Sequence, residues 1–589
     1  MEARTFYTQQ VEKLNKEISA LKLTMRTIST IRLAVFLGTT FSVYLFFGNF
    51  SMIGASLAVG IALFLWLINR YADTKRKLDF KKELLRINTL EINYMDGISL
   101  PEQTGDAYIY ETHDYNQDID LFGEGSLFQK LNRTGLKNGE KELASILNSN
   151  TIDNVKARQK AIQTLAEMPE WRQEYTAIAA LIKSEISTES ITNWIKNHQR
   201  FVPKVFSWIT IPFSVVSAIL LAAYFLGFLN GYFIAGWFAL GLGLTSRFLK
   251  KITEMYNVTS KIDDLLQQYA LLLKRIESSE FDSEQLQKWK SKIETNNIPA
   301  SERLATLSSF IDSLGNRNNM IFGFIGNGLL LWDLRFAYRI ENWMDAFDGE
   351  LTHWFETIAQ FDAINSMANY SFNHQNYVYP AITESPKLQF KAENIGHPLL
   401  NHKKMVTNSI SLDQQDFFII TGANMAGKST FLRTVAMNIV MANCGLPVCA
   451  TSFEYRPVKL ISSMRTSDSL VNDESYFFSE LKRLKFIVER IQTETYFIIL
   501  DEILKGTNSV DKAEGSKKFV ERLVNSQSTG LIATHDLSLC TLSEKYDSIE
   551  NHYFDAEIVN DELYFDYRFK NGICQNMNAS FLLKKMGIV

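Results

Sequence analysis

The 589-residue sequence predicts a multidomain fold of α and α/β parts. A helical region carrying two transmembrane helical hairpins precedes a C-terminal α/β domain built on a P-loop. Three observations predict it: a phosphate-loop motif behind an apolar run, two long charge-free stretches, and helical periodicity in the segments around them.

The motif lies in Phe417-Phe-Ile-Ile-Thr-Gly-Ala-Asn-Met-Ala-Gly-Lys-Ser-Thr430. Gly422, Gly427, Lys428 and Ser429 satisfy the spacing GxxxxGK[ST], and the backbone of Gly422, Ala423, Asn424, Met425, Ala426 and Gly427 forms the loop. Loop amides turn toward phosphates, glycines let the backbone approach, and a lysine neutralises the β/γ charge. Ser429 offers a hydroxyl to Mg²⁺ at the start of the next helix, beside Thr430, where the helix N-terminus favours an anion. The segment is expected to bind a nucleoside triphosphate with Mg²⁺.

Composition narrows the classes. A chain this long holds several domains. A formal net charge of −4 makes no overall electrostatic case for nucleic acid. Cys444, Cys449, Cys540 and Cys574 form no CxxC pair, so reduced thiols facing a cytosol are expected rather than zinc or disulfides.

The charge-free stretches define the membrane part. Residues 33–69 lie between Arg32 and Arg70, and 205–246 between Lys204 and Arg247. Each exceeds the ~20 residues of one span and accommodates two. Gly48-Asn49 and Asn230-Gly231 supply the turns. Cations bracket both stretches and are absent from the turns, which puts everything else on the cytoplasmic side of the inner membrane. The apolar patch from Met320 to Trp332 is shorter and reads as core.

The flanking segments carry heptad seams. Val11, Leu14, Ile18, Leu21, Met25 and Ile28 lead into the first hairpin; Met255, Val258, Ile262, Leu265, Tyr269, Leu272 and Ile276 follow the second. Packing within the chain is expected over packing between copies.

Beyond the loop, Tyr496-Phe-Ile-Ile-Leu-Asp501-Glu502 reads as a buried strand ending in two acids. Asp501 would join the Mg²⁺ shell with Ser429, and Glu502 would polarise the attacking water. Leu531-Ile-Ala-Thr-His535 is a further strand, closing on a histidine suited to sensing the γ-phosphate.

Taken together, these motifs resemble the MutS mismatch-repair ATPases of the ABC-type ATPase group. TGANMAGKSTFLRT (421–434) is similar to the family's P-loop, with Ala423 and Ala426 replacing Pro and Gly. Residues 466–480 resemble its signature segment, which implies that Ser475 completes the ATP site of a partner in a homodimer. DEILKGTNSVD (501–511) resembles the Walker B and D-loop stretch, with Leu504-Lys505 for Gly-Arg. Upstream, residues 120–134, 158–162, 361–370 and 396–400 resemble the family's core domain and its return to the ATPase. The resemblance implies an adenine pocket formed by Met405 and Tyr553.

Phe122-Gly-Glu124 spells the family's mismatch wedge but falls inside a core motif, so it is rejected as one. No N-terminal mismatch-recognition domain is expected. The second hairpin falls where the family's levers and DNA clamp are expected. The resulting division is an N-terminal helix (1–32), hairpin one (33–69), a linker helix (70–109), the first part of the core (110–204), hairpin two (205–246), the levers and second part of the core (247–385), and the ATPase domain (386–589). Three readings stay open: a membrane-anchored MutS-like ATPase coupled to DNA, the same engine acting on another client, and an ABC-type transport ATPase. The last is placed behind the others, because the hairpins lack polar midplane residues for a route.

Overall fold

The computed structural model describes residues 2–110, 112–181, 187–294, 298–401, 403–423, 425–464, 476–504, 509–559 and 562–575. Helices α1 (Ala3–Leu45) and α2 (Phe50–Met95) pack against each other, joined by a turn in which Gly48 takes φ +97°. Asn49 accepts a hydrogen bond from the Met52 amide and so starts α2. The expected boundaries at 32 and 70 are not breaks. With no proline or cap there, each helix continues from its apolar tip into a charged stalk, reaching about 65 Å at the usual rise. Leu14, Ile18 and Ile28 bury the stalk seam within the chain, whereas Phe36, Phe41, Leu57 and Trp66 stay exposed nearer the tip.

The helical body follows. Short helices α3 (Leu127–Leu131), α4 (Lys137–Asn148), α5 (Val155–Ala166), α6 (Pro169–Ala180) and α7 (Thr188–Asn197) lead to the second hairpin. There α8 (Phe206–Phe225) and α9 (Gly231–Ser246) are joined at Asn230, which caps Tyr232. Next come α10 (Leu249–Glu277), α11 (Glu284–Ser291), α12 (Ala300–Gly315), α13 (Met320–Leu330) and α14 (Trp332–Asn373). The α10 seam packs on α12 and α14 of the same chain, as expected. Among the described residues, α1, α2 and α8 are long and apolar enough to cross a membrane. Two bent pairs, α9 with α10 at 63° and α13 with α14 at 81°, would bring the count to five. The reading of Met320–Trp332 as core is corrected. Helix α13 buries only its Gly326-Asn327-Gly328 face and leaves Met320, Ile321, Phe324 and Ile325 exposed.

Two sheets complete the fold. Strands β1 (Ala381–Ile382), β2 (Leu388–Ile395) and β3 (Asn408–Asp413) join β5 (Ser452–Tyr455) in the order β1-β5-β2-β3. Strand β4 (Phe417–Gly422) runs into helix α15 (Lys428–Asn443). With β6 (Lys459–Ser463), helix α16 (Tyr476–Arg490), β7 (Tyr496–Asp501), helix α17 (Ser509–Val524), β8 (Thr529–Ala533) and β9 (Ile549–Phe554) it forms the second sheet. A small ribbon of β10 (Glu557–Val559) and β11 (Glu562–Tyr564) precedes β12 (Lys570–Asn571). The second sheet has the order β12-β9-β4-β8-β7-β6, parallel except for β12. Continuous apolar runs such as Phe-Phe-Ile-Ile at 417–420 suit strands buried on both faces.

Long helix α14 is the spine of the body, and the core motifs meet on it. Asp362 accepts hydrogen bonds from the amides of Gly135 (3.2 Å) and Leu136 (3.0 Å), and burial pushes its carboxyl up to about 7. Ser366 accepts from the Arg133 amide (2.8 Å) and donates to the Leu131 carbonyl (2.8 Å). Phe122 is buried beside Tyr108 and Phe128, in keeping with its rejection as a wedge. At the foot of the stalk, the buried Glu91 carboxylate accepts from the Arg133 guanidinium, Asn369 (3.1 Å) and Asn373 (2.9 Å). Tyr7 donates to Asn373 (2.8 Å), and Arg172 donates to Asn369 (2.7 Å). This cluster clamps both stalk helices onto α14. Removing its one carboxylate strands buried cations, so Glu91→Ala is expected to cost ~3 kcal/mol. A lowered thermal midpoint of the full chain in detergent would read that loss; an unchanged midpoint would contradict the clamp.

Candidate functional site

The site is assembled at the carboxyl ends of β4, β7 and β8. Strand β4 ends at Gly422, whose φ of +140° places its Cα face against the Phe554 carbonyl, where a Cβ would collide. The chain turns through Ala423, Met425 and Ala426, with the Ala426 amide donating to the Ala423 carbonyl (3.3 Å). Met425 is exposed at φ +71°, while Ala426 is buried. Gly427, at φ +104°, is the N-cap of α15, and Lys428, Ser429 and Thr430 form its first turn. Unpaired amides at such a helix start attract anions. Asn424 lies outside the described residues.

The Lys428 ammonium donates to the carbonyls of Gly422 (2.7 Å) and Ala423 (3.1 Å). Burial lowers its pKa, and the neighbouring Asp501 and Glu502 carboxylates partly oppose that shift. His535 Nε2 stands 3.4 Å from the ammonium and 2.8 Å from Glu502 Oε1. One ring nitrogen cannot both accept from lysine and donate to a carboxylate. The shorter contact and the complementary groups assign Nε2–H as donor to Glu502.

Strand register brings these groups together. The Glu502 amide donates to the Ala533 carbonyl (2.9 Å) and the Thr534 amide to Ile420 (3.0 Å), carrying the ladder past the strand ends. Glu502 takes φ +59° and Leu504 φ +57°, a bend of the kind held at functional sites. Ser475 and the segment 505–508 lie outside the described residues.

A cavity of about 450 Å³ opens over the loop, within the usual range for small-molecule sites. Lys428, Ser429, Thr430, Glu502 and His535 line it, together with Met405, Phe554 and Tyr567. Tyr553 is not among the lining residues. Alternation along β9 gives that face to Phe554, and Tyr553 instead pairs with Lys570 of β12. Tyr567 takes the aromatic place at the cavity. Its carbonyl accepts from the Asn408 side chain (3.1 Å), the Phe569 amide donates to Asn408 Oδ1 (2.9 Å), and Arg568 reaches the Thr407 carbonyl (3.0 Å). Sequence reasoning missed it, although the run Tyr564-Phe-Asp-Tyr-Arg-Phe569 carried an aromatic signal.

His397, quoted only within a motif, also lines the cavity; burial lowers its pKa to about 4 and keeps it neutral. Asn438 fixes this wall by donating to the Gly396 carbonyl (3.0 Å) and accepting from Cys449 (2.9 Å). Arg483 stands in a basic run with Lys482 and Lys485, which composition alone would place on a solvated face of α16. Its guanidinium donates to the carbonyls of His113 (2.8 Å), Asp114 and Ser462, tying α16 to the helical body.

Residues 418–584, which hold this loop, both acids and the histidine, match the MutS domain V family. This C-terminal part of the chain is similar to domain V of MutS proteins. Over 230 residues the chain is 27% identical to human MutS protein homolog 4, covering 38% of this chain and 24% of that protein. It is 28% identical over 280 residues to the DNA mismatch repair protein MutS of Staphylococcus haemolyticus, covering 46% and 31%. A third relative, the DNA mismatch repair protein MutS of Methanosarcina barkeri, is 30% identical over 234 residues, covering 38% and 25%. The chain thus spans less than a third of the length of these relatives.

If Tyr567 stacks on a base, Tyr567→Ala should weaken binding of a fluorescent ATP analogue about five- to tenfold. Tyr553→Ala should leave that affinity nearly unchanged, and the reverse order would return the stacking role to Tyr553.

Proposed function

We propose that this chain is a membrane-anchored ATPase of the MutS type, which binds ATP with Mg²⁺ and hydrolyses it in a site completed by a second copy. The observation that carries the reading is the Glu502–His535 contact of 2.8 Å beside the Lys428 ammonium. An acid base-candidate, an orienting imidazole and a phosphate-binding cation share one cavity.

The groups divide the work by their chemistry. Loop amides and Lys428 hold the phosphates. Glu502 accepts the proton of the attacking water, while His535 holds its carboxylate in place and lies within reach of the terminal phosphate. Met405 and Tyr567 flank the base.

The donor set suits magnesium. One hydroxyl (Ser429) and one carboxylate (Asp501) leave room for phosphate and water oxygens, and no group of three or more His, Cys, Asp or Glu suited to a metal exists among the described residues. A bound Mg²⁺ supplies neutralisation of the β- and γ-phosphate charge.

The apolar helices α1, α2, α8 and α9, with cations such as Arg32, Arg70, Lys204 and Arg247 at their bases, support anchoring in a cytoplasmic membrane with the ATPase domain inside. The names of two relatives make DNA the first client to test. The exposed apolar surface within the helical body favours a second reading, in which the engine serves a membrane-side client.

Glu502→Gln should still bind ATP but turn over at least about a hundredfold more slowly; wild-type turnover in that variant would remove Glu502 as the base. In the resemblance-based dimer, Ser475→Ala and Lys428→Ala are each inactive alone. Mixing them should restore hydrolysis at one kind of shared site, and a mixture as inactive as its components would contradict a composite site.

A further inference from the structure

We propose that α13 enters the bilayer as a half-span, its exposed face covered by lipid acyl chains of the leaflet next to hairpin two. The inference rests on reading α8 and α9 as membrane spans, and it adds a third element to that anchor.

The apolar face is large and one-sided. Met320 and Ile321 are 86% and 74% exposed, and Phe324 and Ile325 continue the same stripe one turn on. No charged residue occurs from Asn318 through Trp332. Eleven residues rise about 16 Å, roughly half the ~30 Å hydrocarbon core. Such a stripe calls for a cover, and its surroundings identify one.

Helix α13 leans directly on the hairpin. Gly241 of α9 meets the Gly328 backbone so closely that a Cβ on either would collide with its neighbour, and Phe238 packs on Phe324 with ring centroids 4.9 Å apart. Small residues at a helix crossing are the usual means of close packing in lipid. The exposed stripe is therefore continuous with the outward apolar residues of α8 and α9, including Ile219 and Phe233.

Backbone groups at both ends find partners within the protein, the kind of pairing that hydrocarbon demands. At the start of α13, Asn319 accepts from the amides of Ile321 (3.1 Å) and Phe322 (3.2 Å). At its end, Ser217 of α8 donates to the Leu329 carbonyl (2.6 Å) and accepts from Trp237 (2.9 Å). Leu331 then takes φ +50° and turns the chain 81° into α14, with Asn327 capping the Asp333 amide (2.9 Å). Helix α8 thus contributes a hydroxyl to the end of the half-helix. The charges that flank it, Arg317 and Asp333, pair with each other (3.4 Å).

The test places a photoreactive benzoylphenylalanine at Ile321, at Ile219 on α8, or at Leu271 on α10, in the full chain held in phosphatidylcholine–phosphatidylglycerol nanodiscs. After irradiation, mass spectrometry reads lipid adducts. Adducts at Ile219 and Ile321 with loss of signal to background at Leu271 are the expected result. An adduct at Ile219 with none at Ile321, or a crosslink from Ile321 to a second copy, overturns the half-span and leaves the anchor standing. No lipid adduct at either Ile219 or Ile321 overturns the anchor and the half-span together.

Discussion

The parallel register of β4, β8 and β7 is the constraint on which the site depends. Ile420 pairs with Ala533, and Ala533 with Asp501, so three strands end level with one another. Their next residues are the phosphate loop, the histidine turn and the acid pair. A slip of one residue would turn each side chain to the opposite face and separate Lys428 from Glu502 and His535. The residues that enforce the register are apolar and buried, far from any chemistry. Packing of Phe417, Ile419, Ile498 and Ile532 thus sets the geometry of charges several residues away.

A second layer of organisation ties this domain to the helices. Arg483 binds α16 to the loop at His113 and Asp114, and Arg158 donates to the Asn443 carbonyl (2.6 Å) at the end of α15. The body is in turn clamped to the first stalk through Glu91. Packed contacts therefore connect the helix behind the phosphate loop to the helices proposed to enter the membrane.

Much of this was legible in the sequence because its signals are local. The P-loop spacing and the acid pair depend on residues within a few positions of one another, and the charge-free stretches are contiguous in the chain. What was misread depends on partners distant in the chain. Tyr553 and Tyr567 are both aromatic and near the end of the chain, but only strand alternation and the Asn408 contacts decide which one reaches the cavity. Arg483 sits in a run with Lys482 and Lys485, and its carbonyl partners are some 370 residues away for His113 and Asp114. The apolar run at Met320 was taken for core because composition does not distinguish a buried helix from one exposed on one face. The boundaries drawn at 32 and 70 followed composition, and the backbone of α1 and α2 runs through both as continuous helix.

The measurement that tests the central claim most directly is steady-state ATP hydrolysis by the full chain in nanodiscs, compared with Lys428→Ala and run with and without duplex DNA. The account predicts Mg²⁺-dependent phosphate release that disappears in the variant, with the DNA arm reporting on the client. Absence of hydrolysis in the native chain, or an equal rate in Lys428→Ala, would contradict it.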